Sequence, residues 1–123
     1  MYELTVEREI SAAHCLREYE GACARVHGHN YRVQVSVTGD ELSAIGMLMD
    51  FGDLKDICDA VLDGLDHADL NDIEPFDRIN PTSENLARYV YEQVAERLPG
   101  PARVSRVTVY ESARAWATYT ESG

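Results

Sequence analysis

The sequence predicts an α+β fold, with a pair of helices packed on one face of an antiparallel four-stranded sheet in the order ββααββ. Three observations carry that expectation. Apolar and polar residues alternate near both ends of the chain, which is the period of a half-buried strand. In the middle, from Asp50 to Leu98, apolar residues recur every three or four positions, the period of an amphipathic helix. Turn and cap residues fall where one period gives way to the next.

The first strand covers residues 2–10, where Tyr2, Leu4 and Val6 alternate with Glu3, Thr5 and Glu7. Residues 11–30 read as irregular. Alternation returns with Tyr31, Val33, Val35 and Val37 set against Arg32, Gln34, Ser36 and Thr38, and Gly39-Asp40 closes that strand with a turn signal. Leu54, Ile57, Cys58, Val61, Leu62 and Leu65 then form one helical stripe, capped by Asp50 or Asp53 and ending near Gly64. A second helix follows Asn80-Pro81-Thr82, with Thr82 as its N-cap. Leu86, Val90, Val94 and Leu98 line its apolar face, and Pro99-Gly100-Pro101 stops it. Two strands close the chain, 104–111 with Val107 and Val109 on one face, and 115–120.

A length of 123 residues suits a single domain over 1–123, large enough to bury roughly two-thirds of its unfolded surface. Eleven basic residues against 22 acidic ones give a net charge of −11, a field that repels nucleic acid and anionic membranes. No apolar run approaches the roughly 20 residues that span a bilayer. The first residues lack the pattern of a secretory signal, so a cytoplasmic location is expected. Cys15, Cys23 and Cys58 are odd in number and form no CxxC pair, which predicts free thiols rather than a cysteine-zinc site.

Three of the four histidines form a pattern. In His27-Gly28-His29 the imidazoles stand two residues apart just before a strand. If the extended backbone reaches back that far, both point to the face that carries Tyr31, Val33, Val35 and Val37. Two imidazoles on a buried face need partners for their nitrogens, and a metal ion supplies them. His14, near the end of the first strand, makes a third ligand. Three histidines with an open fourth position are the arrangement of a catalytic zinc site. The alternative is a surface His-Gly-His loop beside a core histidine. Gly28 would leave room for close backbone approach.

Other candidates surround this group. Cys23 sits four residues before His27 among small residues, where Arg25 and a nearby metal favour the thiolate, although a free cysteine is more often a small apolar filler. Asp66-His67 follows the first helix and is either an acid-base couple or a helix-end arrangement of hydrogen bonds. Glu111 is in phase with Val107 and Val109, so its carboxylate points inward and must meet paired donors. A flat heterocycle with two adjacent N–H groups would supply them. The alternative is an exposed strand-end glutamate.

Ser11-Ala12-Ala13-His14, Cys23-x3-His27-Gly28-His29-Asn30-Tyr31 and Met49-Asp50-Phe51-Gly52-Asp53-Leu54-Lys55 continue into Leu65-Asp66-His67-x2-Leu70-Asn71, Asn80-Pro81-Thr82-Ser83-Glu84-Asn85-Leu86-Ala87 and Val109-Tyr110-Glu111. In this order, over nearly the whole chain, these segments resemble the 6-pyruvoyl-tetrahydropterin and 6-carboxytetrahydropterin synthase superfamily. Ile10 stands where the family carries a Phe-type residue. The resemblance implies the tunnelling fold and zinc on His14, His27 and His29. It implies Cys23 as proton acceptor with Asp66 and His67 as relay, Glu111 anchoring a pterin ring, and Thr82 and Ser83 holding that ring. It also implies a homohexamer with active sites where subunits meet. Three residues between Cys23 and the His-Gly-His segment look like the bacterial 6-carboxytetrahydropterin synthases of the 7-deazapurine (queuosine) pathway. Animal-type pyruvoyl enzymes carry an insertion there, and aldolase-like members lack the cysteine. The implied substrate is 7,8-dihydroneopterin triphosphate, for whose phosphates Arg17, Arg25 and Arg32 are candidates, since Lys55 is the only lysine. A pyruvoyl-type synthase or pterin side-chain lyase on the same scaffold, and a zinc-holding module without catalysis, are the other readings.

Overall fold

A computed structural model describes residues 1–18, 21 and 24–121. Its frame is a long hairpin: β1 (Tyr2–His14) and β2 (His27–Gly39) pair antiparallel from Tyr2 opposite Gly39 to His14 opposite His27. Both strands run further toward the hairpin end than the alternation predicts. Ser11–His14 and His27–Asn30 lie outside the clear apolar pattern, but they pair with each other across the ladder and so stay extended.

The helix α1 (Phe51–Leu62) begins at Asp50, whose carboxylate accepts the Gly52 N–H at 2.6 Å, so Asp50 rather than Asp53 is the cap. It ends before Gly64, with the Asp63 N–H bonded to the Asp59 carbonyl. The second helix, α2 (Ser83–Arg97), is capped as expected by Thr82, whose hydroxyl accepts the Asn85 N–H at 3.1 Å. Its partner strands are β4 (Arg103–Ser112) and β5 (Ala115–Tyr119).

The sheet has five strands among the described residues, not four, in the order β3-β1-β2-β4-β5. The added strand, β3 (Ala68–Asp69), is two residues long and runs parallel to β1 beside Ala12 and Ala13. Two residues are too few to show a period, so no alternation marks this strand. Its place in the fold matters, because it fixes the segment that carries Asp66 and His67 alongside the end of β1.

Both helices cover one face of the sheet. Val6, Ile10, Val33, Val35, Val37, Val107 and Val109 meet Leu54, Cys58, Leu62, Leu86, Val90 and Val94 in the core. Each such side chain contributes about 1.5–3 kcal/mol when fully buried. The other face is polar, and its hydroxyls pair across strands, Thr5 with Ser36 at 2.7 Å and Thr108 with Thr118 at 2.8 Å. Among the described residues, no helix is long and apolar enough to cross a membrane.

Candidate functional site

The hairpin register brings the histidines together. His14 lies opposite His27, and Ala12 opposite His29, so all three imidazoles project from the same face as Ile10 and Tyr31. Their ring centroids are 4.6 Å (His14–His27), 5.1 Å (His14–His29) and 4.8 Å (His27–His29) apart. Gly28 between them is not needed for close approach: a methyl group there would meet only the Ala12 carbonyl, at 3.7 Å, which is ordinary contact.

Glu111 completes the group from β4, which pairs directly with β2. Its carboxylate lies 2.9 Å from His29 Nε2 and 3.5 Å from His14 Nε2. Two features aim it there. It is in phase with buried Val107 and Val109, and the β4–β5 register shifts between Tyr110 and Ser112, leaving Glu111 as the bulged residue. The inward direction agrees with the strand period. The carboxylate meets imidazole nitrogens, however, where the sequence suggested the N–H pair of a heterocycle.

The hydrogen bonds around the rings fix which nitrogens face inward. His14 Nδ1–H donates to the Pro81 carbonyl at 2.7 Å, and His27 Nδ1–H to the Arg25 carbonyl at 2.7 Å. Each ring then turns a lone pair, not a proton, toward the centre at Nε2, and the two Nε2 atoms stand 3.0 Å apart. Facing lone pairs repel unless a cation lies between them. His29 Nε2 is buried and makes no hydrogen bond of acceptable geometry, although Glu111 stands beside it. Four donors, one from each of His14, His27, His29 and Glu111, lie within 4.8 Å of one another, a group able to hold a metal ion. Tetrahedral zinc with bonds of about 2.0–2.1 Å separates its ligands by about 3.3 Å, close to this spacing.

The surroundings suit ligation. Burial pushes the His29 imidazole below its usual pKa, with His14 and His27 acting in the same direction and Glu111 opposing them. That keeps the ring neutral, the form that binds metal. The Tyr31 hydroxyl lies 3.1 Å from His14 Nδ1, and burial, with Glu111 nearby, raises its pKa so that it stays a neutral phenol. These outer contacts orient the ligands. The strand pattern marks Tyr31 only as core, and the Pro81 carbonyl has no signature in sequence at all.

Asp66 and His67 form a separate couple. His67 Nδ1 donates to Asp66 Oδ1 at 3.0 Å, and the same oxygen accepts the Ser11 N–H at 2.9 Å. That backbone bond holds the Asp66 carboxyl below the usual carboxylate range against partial burial, helped by His67 and Arg8. His67 has φ of 58°, unusual for a non-glycine residue, and its N–H bonds the Ser11 carbonyl at 2.6 Å. Its side chain is 81% exposed and lines an open cleft of about 460 Å³ with His29, Asn30 and Ser11. The pair lies apart from the metal-facing donors, which are His14, His27, His29 and Glu111.

The start of α2 borders the ligand group through Pro81. Thr82 spends its oxygen on capping, while the Ser83 hydroxyl is buried with no partner among the described residues. Cys23 lies outside the described residues. Of the three arginines considered for phosphate, Arg17 is held by the Phe76 and Ile79 carbonyls at 2.7 and 2.8 Å, and Arg32 sits 3.9 Å over the Tyr110 ring. Arg25 is exposed.

The family model for 6-pyruvoyl tetrahydropterin synthase matches residues 3–122. The chain belongs to that family. Among relatives of the 6-pyruvoyl tetrahydropterin synthase family, it is 46% identical over 98 residues to a Bacillus subtilis 6-carboxy-5,6,7,8-tetrahydropterin synthase, covering 76% of this chain and 65% of that protein. A Synechocystis protein of the same name is 37% identical, over 97% of this chain and 93% of its own length. The solved structure of Caenorhabditis elegans 6-pyruvoyl tetrahydropterin synthase superposes with a TM-score of 0.84 at 33% identity, covering 99% of this chain and 98% of that one. Every candidate residue named above falls within the span that the 6-pyruvoyl tetrahydropterin synthase model matches.

Proposed function

We propose that this chain is a zinc-dependent 6-carboxytetrahydropterin synthase. It converts 7,8-dihydroneopterin triphosphate and water to 6-carboxy-5,6,7,8-tetrahydropterin, acetaldehyde and triphosphate. The observation that carries the reading is the convergence of His14, His27 and His29, the first two with Nε2 lone pairs turned inward, in a chain 46% identical to a relative of that name. Zinc bound there would supply Lewis acidity, lowering the pKa of hydroxyls on the substrate side chain.

The chain's own residues have these roles in the proposal. His14, His27 and His29 hold the metal, with the His14 and His27 rings fixed by their outer contacts. Cys23 takes a proton from the substrate side chain. His67, kept in one tautomer by Asp66, returns a proton from its exposed Nε2 edge. Glu111 anchors the pterin ring from the edge of the metal group and completes the acid-base set. Thr82 and Ser83 hold the ring, and the unpartnered Ser83 hydroxyl supports a ligand contact there. The exposure of His67 supports a site shared between subunits, and in this reading, which takes the hexamer from the family resemblance, single-domain chains over 1–123 form a homohexamer. The enzyme works in the cytoplasm in 7-deazapurine (queuosine) biosynthesis, on a small pterin rather than on nucleic acid or membrane.

A second reading is a pyruvoyl-type synthase, or a pterin side-chain lyase, on the same scaffold. The engagement of Arg17 and Arg32 within the fold favours the lyase, acting on a less phosphorylated pterin, because it leaves these two arginines less free for a triphosphate. Mass spectrometry of the products from zinc-loaded protein and 7,8-dihydroneopterin triphosphate separates the readings. A carboxytetrahydropterin with acetaldehyde supports the first. A pyruvoyl product, or turnover only of dephosphorylated dihydroneopterin, moves the assignment to the second.

A further inference from the structure

Arg8, on β1, holds three carboxylates at once. Its Nη1 lies 2.9 Å from Asp59 Oδ1 and 2.7 Å from Asp63 Oδ1, both at the end of α1, and its Nη2 lies 3.4 Å from Asp66 Oδ2. A bridge serving only to tie β1 to α1 is complete with Asp59 and Asp63. The third contact reaches the relay. Asp66 divides its oxygens: Oδ1 accepts the Ser11 N–H and the His67 ring, while Oδ2 faces Arg8. With Oδ2 occupied on the α1 side, the carboxylate presents Oδ1 to His67 in one orientation.

We propose that Arg8 is a positioning residue for the Asp66–His67 proton relay, locking the carboxylate that fixes the His67 tautomer. This rests on the relay role assigned above. Arg8 also offsets charge. The groups facing the couple are Arg8 from β1, Asp59 and Asp63 from α1, and His29 across the cleft from β2. Without Arg8, three carboxylates crowd one corner with no cation. The Asp66 carboxyl then holds its proton more tightly and is no longer kept in one orientation toward the His67 ring.

The test uses the full chain loaded with zinc, and compares Arg8→Gln, Arg8→Lys, Asp63→Asn and His67→Gln. The readouts are kcat, KM, zinc content and the tautomer of the His67 ring by nitrogen NMR. Arg8→Gln should lower kcat about tenfold, a fraction of what general acid-base catalysis supplies, with KM and zinc content unchanged. The His67 ring should no longer keep a single tautomer with its proton on Nδ1. Arg8→Lys, which keeps the charge without the fork, should restore part of both and also serves if Arg8→Gln does not fold. Asp63→Asn, which weakens only the α1 side, should keep kcat. Wild-type kcat and an unchanged tautomer in Arg8→Gln would overturn the proposal, as would an equal loss of kcat in Asp63→Asn. Full turnover in His67→Gln would instead remove the relay itself, a failure distinct from that of Arg8 alone.

Discussion

His14 and His27 face each other across β1 and β2 with their Nε2 atoms 3.0 Å apart, while each donates from Nδ1 to a backbone carbonyl, Pro81 and Arg25 respectively. The outer bonds decide the tautomers, and the tautomers leave the centre rich in lone pairs. A divalent cation turns this repulsion into attraction, so metal binding and folding are linked at this point.

Zinc should therefore stabilise the fold measurably. At free zinc 100 times Kd the gain is about 2.7 kcal/mol, which for a chain of this size raises Tm by on the order of 10 °C. Differential scanning fluorimetry with and without chelator measures it. His27→Ala should abolish the zinc-dependent shift, and an unchanged shift would remove His27 from the ligand set.

Thr82→Ala should cost about 1 kcal/mol, the usual value of a lost N-cap. In urea the midpoint should fall with the m-value unchanged. Because the adjacent Pro81 carbonyl orients His14, the same variant should also weaken zinc binding, readable by chelator competition. A stability loss without any change in zinc affinity would separate the two.

Acid sensitivity should pass in part through Asp66. Its folded pKa is lowered below the ordinary 3.8, chiefly by the Ser11 N–H. The unfolded chain therefore takes up that proton first as pH falls. The stabilisation is complete above the ordinary aspartate value and is lost progressively below about 4. Asp66→Asn should flatten the decline of stability with pH in that window. Equal acid slopes in the two proteins would refute this.

Cys58 lies on the buried stripe of α1, and burial, with Asp59 nearby, pushes its thiol up to about 12. Its alkylation at pH 8 should follow global unfolding, while half-buried Cys15 should react from the folded state. Since the unfolded thiol ionises first, stability should also fall as pH rises from about 9 toward 12. Peptide mass spectrometry after timed labelling reads both thiols, and rapid labelling of Cys58 in native protein would contradict its place in the core.

Local spacing by itself determined the α+β class, both helices with the Thr82 cap, and the shared face of His27 and His29, while the choice of Asp50 over Asp53 as the first cap waited for the structure. These follow from spacing along one segment, which the chain carries locally. The inward aim of Glu111 was half visible: its phase was in the sequence, but its target came from the bulge between Tyr110 and Ser112 and from the neighbouring hairpin. Tertiary structure alone decided the rest. The two-residue β3, the contacts of Tyr31 and Pro81 with His14, and the grip of Arg8 on Asp66 all join residues far apart in sequence. Those contacts are set by strand register and by helices docking on the sheet. No local spacing encodes them, because each depends on two distant segments arriving at the same place.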